Sequence, residues 1–257
     1  MKTTIIGAGN VGSHLAKALD SSDHTICEVY SQNKKNAVKL CKNLFLAEPT
    51  DSLDFSKSKA ELFFICVPDD AIADVVENII LPSQSLLVHT SGSVPLEVLT
   101  SIHFNCGVFY PLQTFSKDKP VDFKNIPICI ESSNPEIDKK LEKVALSISD
   151  NVCYYNSEDR KWLHLAAVFA CNFTNHMLTL SEKLCDQQEI AFGVLKPLIE
   201  ETIEKAFAIG PSLSQTGPAS RQDHEVIKKQ IQMLDGLDQH TDIYKLVTES
   251  IINTQKN

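Results

Sequence analysis

Glycine is scarce in this chain, nine in 257 residues, yet three fall inside the first twelve positions, at Gly7, Gly9 and Gly12. None of the eight cysteines forms a CxxC pair, which removes the usual zinc-ribbon and thioredoxin-type arrangements. The expectation is reduced thiols, mostly in apolar runs, and no metal site. Basic residues are outnumbered, 24 against 33 acidic, for a formal net charge of −9. That balance disfavours a nucleic-acid partner or an anionic membrane surface. Long hydrophobic runs are also missing. The longest, such as residues 62–68, fall far short of the roughly 20 residues needed to span a bilayer. Met1-Lys2 leads straight into an apolar strand, so a soluble, cytoplasmic protein is expected. With 43% hydrophobic and 22% charged residues, the chain can build an ordinary core.

The three early glycines carry the clearest signal. Residues 3–19, TTIIGAGNVGSHLAKAL, read as a strand, a tight turn and a helix. The spacing Gly7-x-Gly9-x-x-Gly12 fits a dinucleotide-binding turn. The first glycine makes the turn, the second lets a pyrophosphate approach, and the third lets helix and strand pack closely. Helix N–H groups near Gly7, Ala8, Gly9, Asn10, Val11 and Gly12 then face the phosphates.

Strand and helix signals alternate from here to about residue 155, which predicts a doubly wound, mostly parallel Rossmann-like sheet of roughly eight strands. Strands are expected at Thr25–Tyr30, residues 44–47, 61–67, Leu86–His89, 107–110, 126–131 and 151–155. The second strand ends at Ser31, where an NAD-binding unit would place an Asp or Glu against the ribose. Here Lys34 and Lys35 follow instead. They either attract a 2′-phosphate, which favours NADP, or simply face solvent. Ligands of such sheets lie over the carboxyl ends of the strands. The glycine turn, Val67-Pro68-Asp69 and His89-Thr90-Ser91-Gly92-Ser93 therefore converge on one crevice, with Gln113 on a further loop. The hydroxyls of Thr90, Ser91 and Ser93 either face a ligand or shape their turn.

Past residue 156 only helical periodicity remains, so domains of 1–156 and 157–257 are expected, the second all-helical. A helix from residue 157 to about 186 has an apolar middle, residues 163–173, that predicts burial on several sides. His164, Asn172, Asn175 and His176 interrupt it. At 100° per residue His164 and Asn175 lie about 20° apart, and together these groups predict a polar stripe facing a cleft. Arg221 follows a glycine turn and suits a carboxylate or phosphate, and Asp223 suits a helix cap.

Taken together, GAGNVG at 7–12, VPDDAI at 67–72, HTSGS at 89–93, YPLQTFS at 110–116, HLAAVFACNF at 164–173 and TGPASRQD at 216–223 resemble a family within the 6-phosphogluconate dehydrogenase-like superfamily. Its members are NADP oxidoreductase-like proteins whose helical half is a domain of unknown function (number 2520). The resemblance implies an NADP-dependent reductase or dehydrogenase, dimeric through its helical domain. Two departures stand out. No lysine occupies the apolar stretch of the long helix, where beta-hydroxyacid dehydrogenases carry a catalytic one. Tyr110-Pro111 also stands where relatives often have His-Pro.

The expected activity is hydride transfer between nicotinamide and a small carbonyl, imine or alcohol. His164 is the expected proton donor, Asn172 would orient the substrate, and Ser91 would bond its polar group. His89, Gly92, Gln113, His176 and Arg221 are expected around the substrate. Ser31, Lys34, Lys35, Val67, Pro68, Asp69 and Thr90 join the glycine turn around the cofactor. The alternative is an NADP-binding sensor that performs no turnover.

Overall fold

Eight strands form a single sheet: β1 (Lys2–Ile6), β2 (Thr25–Tyr30), β3 (Glu48–Thr50), β4 (Leu62–Ile65), β5 (Leu86–His89), β6 (Cys106–Pro111), β7 (Ile128–Ser132) and β8 (Val152–Tyr154). Their spatial order is β3-β2-β1-β4-β5-β6-β7-β8. Every neighbouring pair is parallel except β6 and β7. Strand order reverses between β1 and β4, and a crevice opens beyond their carboxyl ends at such a switch point. This is a Rossmann-like sheet, seen in a computed structural model that describes residues 1–117 and 119–254.

Strand alternation divides the core between two faces. Ile5, Phe64 and Val88 pack with residues of α1 (Asn10–Asp20), α2 (Lys34–Cys41) and α5 (Pro135–Leu146). Ile6, Phe63, Ile65 and Leu87 pack with residues of α3 (Ile72–Asn78) and α4 (Glu97–Thr100). All four β4 residues are buried, the reason that stretch reads as an unbroken apolar run. The expected strand at residues 44–47 is not one. Phe45 and Leu46 are 84% and 74% exposed, and the Phe45 N–H is held by the Asp20 carboxylate. The third strand follows at Glu48–Thr50, paired with β2.

The chain divides into two compact units, Met1–Cys171 and Asn172–Asn257. The first ends with α6 (Ser157–Ala167) and the start of a π-helical turn, Val168–Phe173, in which the division falls. The second holds α7 (Thr174–Gln187), a short 3₁₀ turn (Phe192–Leu195), α8 (Lys196–Ile209), α9 (Pro211–Ser214), α10 (His224–Met233) and α11 (Asp238–Thr254). Asp223 caps α10 by accepting the Val226 N–H. No helix among the described residues is long and apolar enough to cross a membrane.

Two sequence expectations change here. The apolar middle of the long helix is not enclosed: Leu165, Phe169 and Phe173 are 45%, 63% and 46% exposed in the single chain. The constant 100° step also fails across residues 168–173. A π turn closes its hydrogen bonds one residue later than an α turn. Of the eight free cysteines, Cys66, Cys106 and Cys129 are buried and Cys171 is exposed.

Candidate active site

The glycine turn is built as its spacing demands. Gly7 has φ +118°, and a β-carbon there would collide with the Cys66 carbonyl oxygen at the end of β4. A β-carbon on Gly12 would strike the carbonyl oxygen of Gly7. Gly9 differs: it is exposed, and its nearest such contact is the Cys66 oxygen at 3.9 Å. A methyl there would point into open space over the turn. Gly9 is also the N-cap of α1, and it leaves the first helical N–H groups without a side-chain cap or a nearby acid. An open cradle above uncapped N–H groups fits the pyrophosphate of a dinucleotide. Ala8 and Val11 pack against the core. Asn10 donates to the Phe115 carbonyl at 3.0 Å, and His14 Nε2 lies 2.9 Å from the Ser116 carbonyl, which ties the loop after β6 to this helix. Gln113 on that loop is exposed, and its side-chain oxygen accepts the Thr114 N–H at 2.7 Å.

At the far end of the sheet, Ser31 donates its N–H to the Thr50 carbonyl at 3.1 Å. Lys34 and Lys35 open α2 and are exposed, and Asn33 caps it by accepting the Lys35 N–H. Lys34 Nζ lies 3.2 Å from Asp51 Oδ1. The Lys34 bond holds the Asp51 carboxyl below its ordinary range. This acid comes from the neighbouring strand, so a search confined to the end of β2 misses it.

The turn after β5 holds three of the expected site residues. His89 is 0% exposed, and its Nδ1 accepts the Ser91 N–H at 3.2 Å. Burial, helped by the charge of Arg160, pushes its pKa down to about 4, so it is neutral near pH 7. Through Nδ1 it shapes the turn. Ser91 Oγ accepts the N–H groups of Ser93 and Val94 at 3.1 and 3.0 Å, so its oxygen shapes the same turn. Thr90 Oγ1 donates to the Ile65 carbonyl at 3.2 Å and braces β5 against β4. Val67 is half-buried, Pro68 and Asp69 are exposed, and Asp69 accepts a short hydrogen bond from Ser93 Oγ.

The turn presents Gly92 to a pair of aromatic side chains. Tyr110 Oη, near the end of β6, lies 2.9 Å from Nδ1 of His164 on α6. Their rings meet edge-on, with centroids 5.9 Å apart. A β-carbon on Gly92 would come within 2.7 Å of Tyr110 Cζ and 2.8 Å of His164 Nδ1, so this contact requires glycine. Tyr110 is 9% exposed. Burial first, then the nearby Cys129 and Asp69, push its hydroxyl up to about 12, so it stays protonated at neutral pH. Sequence reasoning registers Tyr110 only as a departure from relatives. The usable signal is a phenol at the carboxyl end of a buried strand, where polar groups usually face a ligand.

A second group invisible from sequence anchors α6. Arg160 is 0% exposed and pairs with Glu131 at the end of β7 through a short hydrogen bond. It also donates to the Val94 carbonyl at 2.6 Å. Ser157 donates its N–H and hydroxyl to the same carboxylate, and its oxygen accepts the Leu96 N–H. The network locks the first turn of α6 to β7 and to the turn after β5, one helical turn before His164. Removing Glu131 would leave a buried charge unpaired, at a cost of about 3–5 kcal/mol. In sequence Arg160 follows two acids and reads as surface. Asn172, His176 and Arg221 belong to the second unit, where all three are exposed.

Comparison with known proteins follows the same division. Residues 1–113 match a Rossmann-like domain, and residues 126–251 match the Domain of unknown function (DUF2520). A candidate NADP oxidoreductase from Bacteroides fragilis is 40% identical, with a TM-score of 0.92 and 98% of each chain covered. A reductive aminase from Aspergillus terreus, in complex with NADPH and ethyl levulinate, shares 12% identity at a TM-score of 0.72, covering 97% of this chain and 93% of its own. An imine reductase from Myxococcus stipitatus, in complex with NADP⁺, shares 15% identity at 0.69, covering 100% and 94%. These last two likenesses show the fold. No curated protein gives a significant match.

Proposed function

We infer that this chain, which belongs to the family joining a Rossmann-like domain to the Domain of unknown function (DUF2520) in the 6-phosphogluconate dehydrogenase-like superfamily, is an NADP-dependent oxidoreductase acting on a small carbonyl, imine or alcohol. The observation that carries the reading is the Tyr110–His164 pair seated on Gly92, with Tyr110 at the carboxyl edge of the sheet that also carries the open glycine cradle. The Bacteroides relative's description as an NADP oxidoreductase supports it. So do the imine reductase and the reductive aminase that share the fold.

The main-chain groups of residues 7–12 would hold the pyrophosphate, and Ser31, Lys34 and Lys35 the adenosine end. Val67, Pro68 and Asp69 would border the nicotinamide. When bound, the reduced cofactor supplies a hydride. The protein must supply the proton. With His164 protonated at Nδ1, that N–H donates to Tyr110 Oη and leaves the phenol O–H free to donate to a substrate nitrogen or oxygen. The proton lost by Tyr110 is replaced from His164, which is part-exposed and recharges from solvent. In the oxidative direction both transfers reverse.

The test is a screen of NADPH oxidation against small imines, ketones and aldehydes, with NADPH binding followed by fluorescence. Substrate-dependent oxidation that His164→Ala abolishes while NADPH still binds supports the reading. Tight binding with no turnover across the panel favours a sensor.

The working form in this reading is a cytoplasmic homodimer. Phe207, Leu213 and Met233 are 90%, 80% and 80% exposed in the single chain. Leu180, Ala219, Ile227 and Leu234 are the buried apolar residues among those described in the second unit. So much uncovered apolar surface suits a large interface, and a second copy of the chain would cover it. Eight free cysteines suit a reducing compartment.

A further inference from the structure

We propose that the Lys34–Asp51 ion pair is the element by which this protein discriminates between 2′-phosphorylated and unphosphorylated dinucleotides, with Asp51 opposing the phosphate. The inference rests on the dinucleotide reading above and extends it to a residue on β3's side of the crevice. Tyr30 and Thr50 are register partners in β2 and β3, so Ser31 and Asp51 each lie one residue beyond the last pair. The Ser31 N–H to Thr50 carbonyl bond holds the two strand ends together. Asp51 thus emerges at the carboxyl end of the sheet beside Ser31, where β2 itself offers no acid. Lys34, the first residue of α2, reaches across to it at 3.2 Å.

Both side chains are about half exposed, 54% and 53%. An ion pair so exposed is weak and screened by salt, so Lys34 can exchange partners readily. A 2′-phosphate drawing on Lys34 takes it from Asp51 and faces that carboxylate's repulsion. A 2′-hydroxyl meets no such repulsion, and a carboxylate can accept its hydrogen bond. Lys35, also exposed, adds attraction for the phosphate. Lys34 and Asp51 therefore act in opposite directions on one choice.

The experiment is fluorescence titration of NADPH and NADH, and competition by adenosine 2′,5′-bisphosphate, with the wild type, Asp51→Asn, Lys34→Ala and the double variant. Asp51→Asn should raise the NADPH-over-NADH affinity ratio about five- to tenfold and tighten the bisphosphate similarly. Lys34→Ala should lower the ratio about tenfold, the loss falling mainly on NADPH. In the double variant, most of the gain from Asp51→Asn should remain, because repulsion is lost with or without Lys34. Raising salt should narrow the differences among variants. A wild type that binds NADPH, with a ratio Asp51→Asn leaves unmoved, overturns this inference and leaves the dinucleotide reading standing. A wild type that binds neither dinucleotide overturns both. Since both side chains are exposed, the variants should fold, and circular dichroism checks that they do.

Discussion

The two units of this chain solve the burial problem differently. In the first, a sheet is covered on both faces and its central strands are fully enclosed. In the second, helices carry Phe207, Leu213 and Met233 on open surface, and a groove of about 730 Å³ is lined by Met177, Leu184, Met233 and Tyr244 among others. The first unit completes its own core. The second leaves large apolar side chains exposed in the single chain. Stability of the first should therefore be set by packing within the chain, and under the proposed homodimer that of the second should depend on protein concentration.

The largest effect expected is at Gly12. Gly12→Ala places a methyl on the Gly7 carbonyl oxygen, backbone that cannot yield. Thermal unfolding should show a loss of several kcal/mol, at or beyond the upper range of about 1–3 kcal/mol for ordinary overpacking. A variant as stable as the wild type would break the picture of a tightly closed first unit. Next is the helical unit. If the proposed homodimer covers its apolar surface, Phe207→Asp should lower the mass found by light scattering and lower the melting temperature of the helical part, with the difference from wild type largest at high protein concentration. An unchanged mass in the wild type and the variant would remove the contrast between the units.

Third is the pH dependence contributed by His89. Its folded pKa of about 4 lies below the ordinary value of 6.5. The unfolded chain therefore binds the extra proton between those values, and the neutral buried ring contributes stability that is complete above pH 6.5. That contribution falls away as pH drops from 6.5 towards 4, by roughly 3 kcal/mol in all. Denaturant midpoints across this window should show the slope in the wild type and a weaker one in His89→Asn. The smallest effect expected is at Gly9. Its added methyl meets only the Cys66 oxygen at 3.9 Å, so Gly9→Ala should fold with wild-type stability. It should weaken dinucleotide binding about tenfold, near 1.4 kcal/mol. The pair Gly12 and Gly9 thus separates closure of the fold from openness of the cradle.

How far the sequence could be read follows the same contrast. The glycine turn, the apolar run of β4 and the alternation of strand and helix are local patterns, and local patterns survive into structure. The Leu44 to Ala47 stretch misleads because apolar residues in a loop look like a strand when their exposure is unknown. His89, Ser91 and Thr90 sit where the sheet rule predicts ligand contacts. The structure adds a turn-shaping role that the rule does not report: His89 Nδ1 and Ser91 Oγ accept the Ser91, Ser93 and Val94 N–H groups, and Thr90 Oγ1 donates to the Ile65 carbonyl. Asp51, Tyr110 and the Arg160–Glu131 pair depend on contacts between residues 17 to 54 positions apart, which no periodicity reports. The π turn at Val168–Phe173 breaks the constant 100° step that a sequence reading assumes.

The most direct test of the central claim is the single-turnover rate of NADPH oxidation by Tyr110→Phe, measured with whichever imine or carbonyl the screen identifies and at saturating NADPH. Losing the phenol proton should slow the step about 10²–10⁴-fold, as expected for a general acid. NADPH affinity should stay within about twofold, because the cradle lies elsewhere. A rate within threefold of wild type at unchanged affinity would contradict the role given to the Tyr110–His164 pair.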